Sequence, residues 1–267
     1  MIIGLFQKMT LGPLLSQKPY CIILKFLKVI RSWTLHLVAV FQHFFLAEQV
    51  GPKGTVLAID IHESQVLRSR SIQGTHLPWL KFEVGDMRFL PTDLPKFNRI
   101  TGNLSFMFFR PYRFEALKKL VRFLKPGGQI VLTFPSMGTF DSLWNYVDEK
   151  MSTQGLTDER KALNEYINER PSASEAEKYL KELGLEKIKV GEQPLEVKTG
   201  SGKEFLEHPL LRGGFLDDIY ECFQNQDLAN NFMDEIAENI SCFTPIFAIR
   251  CAMSGWAPKI KLSLIHI

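Results

Sequence analysis

From residue 50 onward, short apolar runs alternate with amphipathic stretches, and glycine, proline or polar turns close each of them. Residues 55–59 (TVLAI), 80–84 (LKFEV), 97–104 (FNRITGNL) and 129–134 (QIVLTF) have the length and apolar character of strands buried in a parallel sheet. Residues 62–71 and 114–124 predict helices. In the second, Leu117, Leu120, Val121 and Leu124 recur at three- and four-residue steps, which puts them on one face. The tract Lys125-Pro126-Gly127-Gly128 is expected to stop that helix, since proline breaks it and the glycines permit a tight reversal. Strands and helices alternating over short connections predict an α/β fold with a parallel sheet and helices on both faces.

After Pro135 the pattern turns helical, with charged faces at 140–151, 158–168 and 174–183. The last of these opens with Ser174 and Glu177 in capping-box spacing and closes at Gly184. A strand is expected at 186–197, helices at 201–206 and 215–239, and a closing strand at 243–253. The head is harder to place. Residues 37–49 can form a helix, and 20–27 can imitate a buried strand.

Composition narrows the class. The 267 residues suffice for one sizeable α/β domain, and 45% hydrophobic with 23% charged content is that of an ordinary globular chain. The net charge of +3 comes from the head: Lys8, Lys18, Lys25, Lys28 and Arg31 face Glu48 alone, which leaves −1 beyond residue 50. A nucleic-acid partner is therefore not expected for the main body. Cys21, Cys222, Cys242 and Cys251 form no CxxC pair, so neither a zinc site nor a disulfide framework is encoded, and a reducing, cytoplasmic compartment is expected. The uncharged run 32–47 is shorter than the roughly 20 residues of a membrane-spanning helix. No span and no signal peptide are expected.

Four tracts carry a family resemblance. VGPKGTVLAIDIHE, FEVGDMRFLP, FNRITGNLSFMFF and RFLKPGGQIVLTFP resemble, in order and spacing, the second to fifth strand regions of class I S-adenosylmethionine-dependent methyltransferases. The resemblance implies a Rossmann-like, doubly wound, mostly parallel sheet with an antiparallel last strand and a helical insertion after the fifth strand. It implies S-adenosyl-L-methionine as cofactor, with Asp60 accepting from the ribose hydroxyls and Ile61 beside it. Asp86 would bond the adenine amino group, Met87 would line the ring pocket, and Asn103 and Leu104 would lie beneath the methionine part. Each has a plainer alternative: Asp60 as a helix cap, Asp86 as a turn residue with Met87 in the core, Asn103 as a turn former. No catalytic dyad is expected, because displacement at a sulfonium asks the protein chiefly for alignment and a dry pocket. Candidate acceptor-side residues are Phe108 and Tyr112, residues 137–144 after the fifth strand, and His208 and Arg212 of the segment EFLEHPLLRGGF, which the Gly213-Gly214 hinge would let act as a lid. The aromatic cluster Phe106, Phe108, Phe109 and Tyr112 serves either as pocket wall or as core, and His208 is equally readable as a surface residue. His36 and His43 are given no metal or catalytic role, and no metal site is expected.

The chain departs from the family where its first strand should open into a glycine-rich loop. No glycine stands between Pro13 and Gly51. Yet residues 31–46, back-translated with suitable synonymous codons and read two nucleotides later, spell ILDVASGCGFSALFL, an aspartate and two glycines where the family has them. The Trp33–Thr34 junction forces that aspartate whatever codon Thr34 uses. An upstream frame error corrected near Phe45 or Leu46 would account for the missing loop, a hypothesis that the nucleotide sequence decides, and the tail 261–267 (KLSLIHI) looks foreign as well. The chain thus divides into an anomalous segment at 1–49, a methyltransferase-like domain at 50–258 with helical lid segments around 140–183 and 201–240, and a disordered tail at 259–267. The expected function is methyl transfer to a small molecule or a carrier-bound acyl group, with the absent loop counting against cofactor binding by the chain as written. The alternatives are a cofactor-free methyltransferase-like interaction module and a nicotinamide-dependent oxidoreductase, whose fold shares the strand-end aspartate.

Overall fold

The computed structural model describes residues 34–37, 40–197, 201–207, 209–212, 215–240 and 246–259. Its centre is a seven-stranded sheet: β1 (Thr34–Leu37), β2 (Val56–Asp60), β3 (Leu80–Val84), β4 (Phe97–Gly102), β5 (Leu124–Pro135), β6 (Glu186–Val197) and β7 (Ile246–Trp256). They lie in the order β3-β2-β1-β4-β5-β7-β6. β1 to β5 are mutually parallel, while β7 runs antiparallel to both β5 and β6. The head therefore supplies the central strand. The strand expected at 20–27 lies outside the described residues, and Thr34–Leu37 instead pairs with β2 on one side and β4 on the other.

Alternation along β2 shows how the sheet buries both faces. Leu57 and Ile59 pack into a core shared with Ala116, Leu117 and Leu120 of α3 (Arg113–Val121) and Ala176 and Leu180 of α6 (Ala173–Glu182). Val56 and Ala58 face the other way, against Phe44, Ala47 and Val50 of α1 (Val40–Val50) and Val66 of α2 (Glu63–Gln73). A strand with period-two side chains and apolar residues at every position has to be covered on both sides.

A separate aromatic core joins α4 (Asp141–Thr153) and α5 (Thr157–Asn168) to α7 (Gly202–Leu206), α8 (Pro209–Arg212), α9 (Asp217–Tyr220) and α10 (Gln226–Asn239). The expected lid at 140–183 is thus divided. α4 and α5 join this helical layer, whereas α6 packs on the sheet.

Three local expectations change. The 125–128 tract does not end a helix at a turn: α3 stops at Val121, and the tract lies inside β5 as a bulge, with Leu124 opposite Phe97 but Gln129 opposite Arg99. Gly127 takes a φ of 72°, and a Cβ on Gly128 would stand 2.8 Å from the Lys125 carbonyl oxygen. The helix at 173–182 is capped two residues earlier than the Ser174–Glu177 box, by Ser172 Oγ accepting from the Glu175 N–H at 3.1 Å. The single helix expected at 215–239 is two, because Asn225 Oδ1 accepts from the N–H groups of Asp227 and Leu228 and starts α10 afresh.

Candidate active site

The carboxyl ends of β1 to β5 form one edge of the sheet, where the strand order reverses between β1 and β4. In doubly wound sheets that edge holds the ligand crevice. Asp60 ends β2 and lies opposite Val84, the last residue of β3. Gly85 then donates its N–H to the Asp60 carbonyl at 3.0 Å, and Asp86 follows. The two aspartates therefore stand at the tips of neighbouring strands.

Both carboxylates already have local partners. Asp60 Oδ1 accepts from the His62 N–H at 2.8 Å and lies 3.3 Å from His62 Nδ1. Asp86 caps the short 3₁₀ turn Met87–Phe89, accepting from the Arg88 N–H at 2.8 Å. The Arg88 side chain adds Nη2 to Oδ2 at 2.6 Å and Nε to both oxygens at 3.0 Å. This hydrogen bonding from Arg88 holds the Asp86 carboxyl below its ordinary value. Met87 is buried in the core with Ile59, while Ile61 is 55% exposed and Val84 51% exposed, so the apolar surface beside Asp60 comes from those two.

At β4, Asn103 and Leu104 are half-buried, and Leu104 takes a left-handed φ of 52°. The loop is held by Thr133 of β5, whose hydroxyl donates to Asn103 Oδ1 at 2.7 Å and accepts from the Leu104 N–H at 3.0 Å. Thr133 was not legible in the sequence, since a threonine inside an apolar strand gives no signal of its own. Phe106 and Phe109 belong to the core, whereas Phe108 is half-exposed and Tyr112 is 73% exposed.

The strand and helix that normally flank the glycine loop are both in place. β1 ends at Leu37 and α1 begins at Val40, with Val38 and Ala39 between them outside the described residues. In the alternative reading frame the two glycines fall at this strand-to-helix junction. His43 of α1 is buried edge-on against Phe82, at a centroid distance of 5.5 Å. Burial lowers its pKa to about 4, opposed by the charge of Asp60.

A groove further along the edge is lined by Phe108, Arg110, Arg113, Pro135, Glu169 and Arg170, among others. Its three arginines were missed: each lies at a break between periodic elements, Arg110 and Arg113 among aromatic residues, and nothing in the sequence foretells that Arg170 is only 7% exposed. Of the other acceptor-side candidates, Arg212 is exposed on α8 with its guanidinium 5.7 Å from the Tyr220 ring. His208 and the Gly213-Gly214 hinge lie outside the described residues. Among the described residues, no cluster of histidine, cysteine, aspartate or glutamate could hold a metal ion. No helix among them is long and apolar enough to cross a membrane.

Residues 42–128 match the family model of a methyltransferase domain. That stretch of the chain is similar to methyltransferase domains. The match begins inside α1 and leaves out β1 and the junction after it, the segment that the frame reading singles out. Solved structures agree on the methyltransferase fold. A candidate methyltransferase from Bacillus halodurans C-125 is 17% identical, with a TM-score of 0.55 over 91% of this chain and 100% of its own. The YcgJ protein of Bacillus subtilis is 15% identical, with a TM-score of 0.55 over 90% of this chain and 97% of its own. The Haemonchus contortus phosphoethanolamine N-methyltransferase 2, solved with S-adenosyl-L-methionine, is 12% identical, with a TM-score of 0.56 over 90% of this chain and 52% of its own. No curated protein matches the sequence. The antiparallel β7 inserted between β5 and β6 separates this methyltransferase fold from the all-parallel sheet of the nicotinamide-binding alternative.

Proposed function

We propose that the chain is an S-adenosyl-L-methionine-dependent methyltransferase acting on a small molecule or a carrier-bound acyl group. The observation that carries this reading is the placement of Asp60 and Asp86 at the adjacent tips of β2 and β3, beside the switch point between β1 and β4. Asp60 would hold the ribose hydroxyls, and exposed Ile61 and Val84 would offer an apolar face to the adenine ring. Asp86 would accept from the adenine amino group once Arg88 yields one of its oxygens. Asn103 and Leu104, fixed by Thr133, would support the methionine end. When bound, the cofactor supplies an activated methyl group whose sulfur leaves neutral. The protein's part is to align the acceptor in line with the sulfur–methyl bond and to exclude water. No metal, nucleic acid or membrane enters this reading, and a cytoplasmic setting accords with the unpaired spacing of its cysteines.

A second reading has a specific observation behind it. The β1–α1 junction carries Val38-Ala39 where backbone must approach the cofactor closely, and both tip carboxylates are engaged by their own neighbours. As written, the chain then serves as a cofactor-free interaction module. Calorimetric titration with S-adenosylhomocysteine separates the two. The methyltransferase reading expects micromolar binding in a version whose residues 31–46 are replaced by ILDVASGCGFSALFL, and weaker or no binding in the chain as written. Silence from both versions supports the module.

A further inference from the structure

Three guanidinium groups meet where the carboxyl end of β5 abuts the end of α5. Arg110 and Arg113 come from the link between β4 and α3 and the start of α3, and Arg170 follows α5. Arg110 has a carboxylate on each terminal nitrogen, with Nη1 on Glu169 Oε2 at 3.2 Å and Nη2 on Asp218 Oδ1 at 3.0 Å. Arg170 is different. It is 7% exposed, its Nη1 donates to the Thr139 carbonyl, and its plane lies against Trp144, Tyr166 and Phe215 at 5.1 to 5.7 Å. Its guanidinium also meets the Tyr166 hydroxyl, while Nη2 is left buried with no acceptor. Arg113 Nε is likewise buried without an acceptor, although Arg113 Nη2 donates to the Glu169 carbonyl.

Aromatic faces attract a guanidinium across its plane, but its N–H bonds lie in the plane, and only an acceptor there can satisfy them. Buried polar groups are hydrogen-bonded with few exceptions, so two orphaned donors on two arginines of one groove call for a ligand. In the groove lining, three guanidinium groups face the single carboxylate of Glu169. The other nearby acids are Asp141 and Asp218, which act on Arg170, and Glu175, which acts on Arg113. None of these three lines the groove.

We propose that this groove binds an oxyanion, a carboxylate or a phosphate, of the methyl acceptor, with Arg170 Nη2 and Arg113 Nε as its donors. A forked, planar cation suits an oxyanion better than a point charge does. The groove lies beside β4 and β5, across the switch point from the Asp60 and Asp86 tips on β2 and β3. The acceptor and the adenosine thus occupy opposite halves of the same edge. The acceptor is therefore an anionic molecule methylated away from its charged end. That the anion belongs to an acceptor rests on the methyltransferase reading, whereas the anion site stands on the groove alone.

The test uses the full chain as it is. Thermal unfolding and tryptophan fluorescence are followed while sodium phosphate, or in a second arm sodium acetate, replaces chloride at constant ionic strength. A saturable rise in Tm, with a fluorescence change from Trp144 beside Arg170, is expected in one arm, and that arm identifies the acceptor's anionic group. Arg170→Lys and, independently, Arg113→Lys keep the charge but lose the in-plane donor, and each should weaken the anion at least about tenfold. Arg68→Ala on exposed α2 should leave it unchanged. If Arg170→Lys does not fold, Arg113→Lys decides. Absence of saturation beyond the chloride effect, or wild-type affinity in the folded variants, overturns the proposal. A parallel S-adenosylhomocysteine titration of the loop-restored chain keeps the two failures apart. Anion without cofactor binding retains the groove and sinks the methyltransferase reading, and cofactor without anion binding does the reverse.

Discussion

The Thr133 hydroxyl, buried in β5, donates to the Asn103 side-chain oxygen at 2.7 Å and accepts from the next backbone N–H. One small side chain thereby fixes the exit loop of β4, which holds the left-handed Leu104. Thr133→Val keeps the shape but leaves the Leu104 N–H and the Asn103 amide without their partner. Unfolding in denaturant should show a loss of about 1–3 kcal/mol. The loop-restored chain carrying this change should also bind S-adenosylhomocysteine more weakly, and unchanged affinity would remove the loop from the site.

Asp60 tests the ribose assignment directly. In the loop-restored chain, Asp60→Asn should weaken S-adenosylhomocysteine by at least about tenfold, the worth of one charge-assisted hydrogen bond. Its own bond from the His62 N–H survives the change, because the asparagine oxygen still accepts, so Tm should move little. A variant that binds as before would return Asp60 to a local turn role.

Arg88 competes with adenine for the Asp86 carboxylate. The pair is partly exposed and contributes little to stability. Arg88→Ala should therefore leave Tm nearly unchanged, let the Asp86 pKa rise towards its ordinary value, and tighten S-adenosylhomocysteine a few-fold in the loop-restored chain. Weaker binding in calorimetry would mean that Arg88 itself contacts the cofactor.

His43 makes the chain as written sensitive to acid. Its folded pKa of about 4 lies below the ordinary 6.5, so the unfolded state binds the proton more readily between those values. This contribution to stability is complete above pH 6.5 and falls as the pH drops from 6.5 to 4, by about 3 kcal/mol. His43→Leu should cancel that fall, as measured by the difference between the two unfolding free energies at pH 7 and pH 4.5.

Gly202 sets the fit of the helical layer. A Cβ there would stand 1.9 Å from Ile240 Cγ2 and 2.1 Å from the Ala237 carbonyl oxygen, at the end of α10. Gly202→Ala should push α7 off α10 and cost about 1–3 kcal/mol. Hydrogen exchange should show faster opening of α7 and α10, with β2 to β5 still protected.

Most of the sheet was legible because its signals are local. LKFEV and residues 186–197 appear as β3 and β6 at their expected limits, since each is an alternating run closed by a turn. The breaks at 125–128 and 221–225 were misjudged for a tertiary reason. Whether Lys125-Pro126-Gly127-Gly128 turns or bulges depends on Phe97 pairing with Leu124, and α10 starts afresh only because Asn225 is free to cap it.

By itself, the sequence determined the α/β class, the strand-tip aspartates and the missing glycines, because each follows from residue type and spacing along the chain. The tertiary structure decided that Thr34–Leu37 is the central strand and that the expected antiparallel last strand, β7, inserts between β5 and β6. It also decided that Arg110, Arg113 and Arg170 share one groove, with Arg170 enclosed by aromatic rings from α4, α5 and the turn before α9. Burial and pairing between distant segments depend on how the whole chain closes, and no local pattern of polar and apolar residues carries that information.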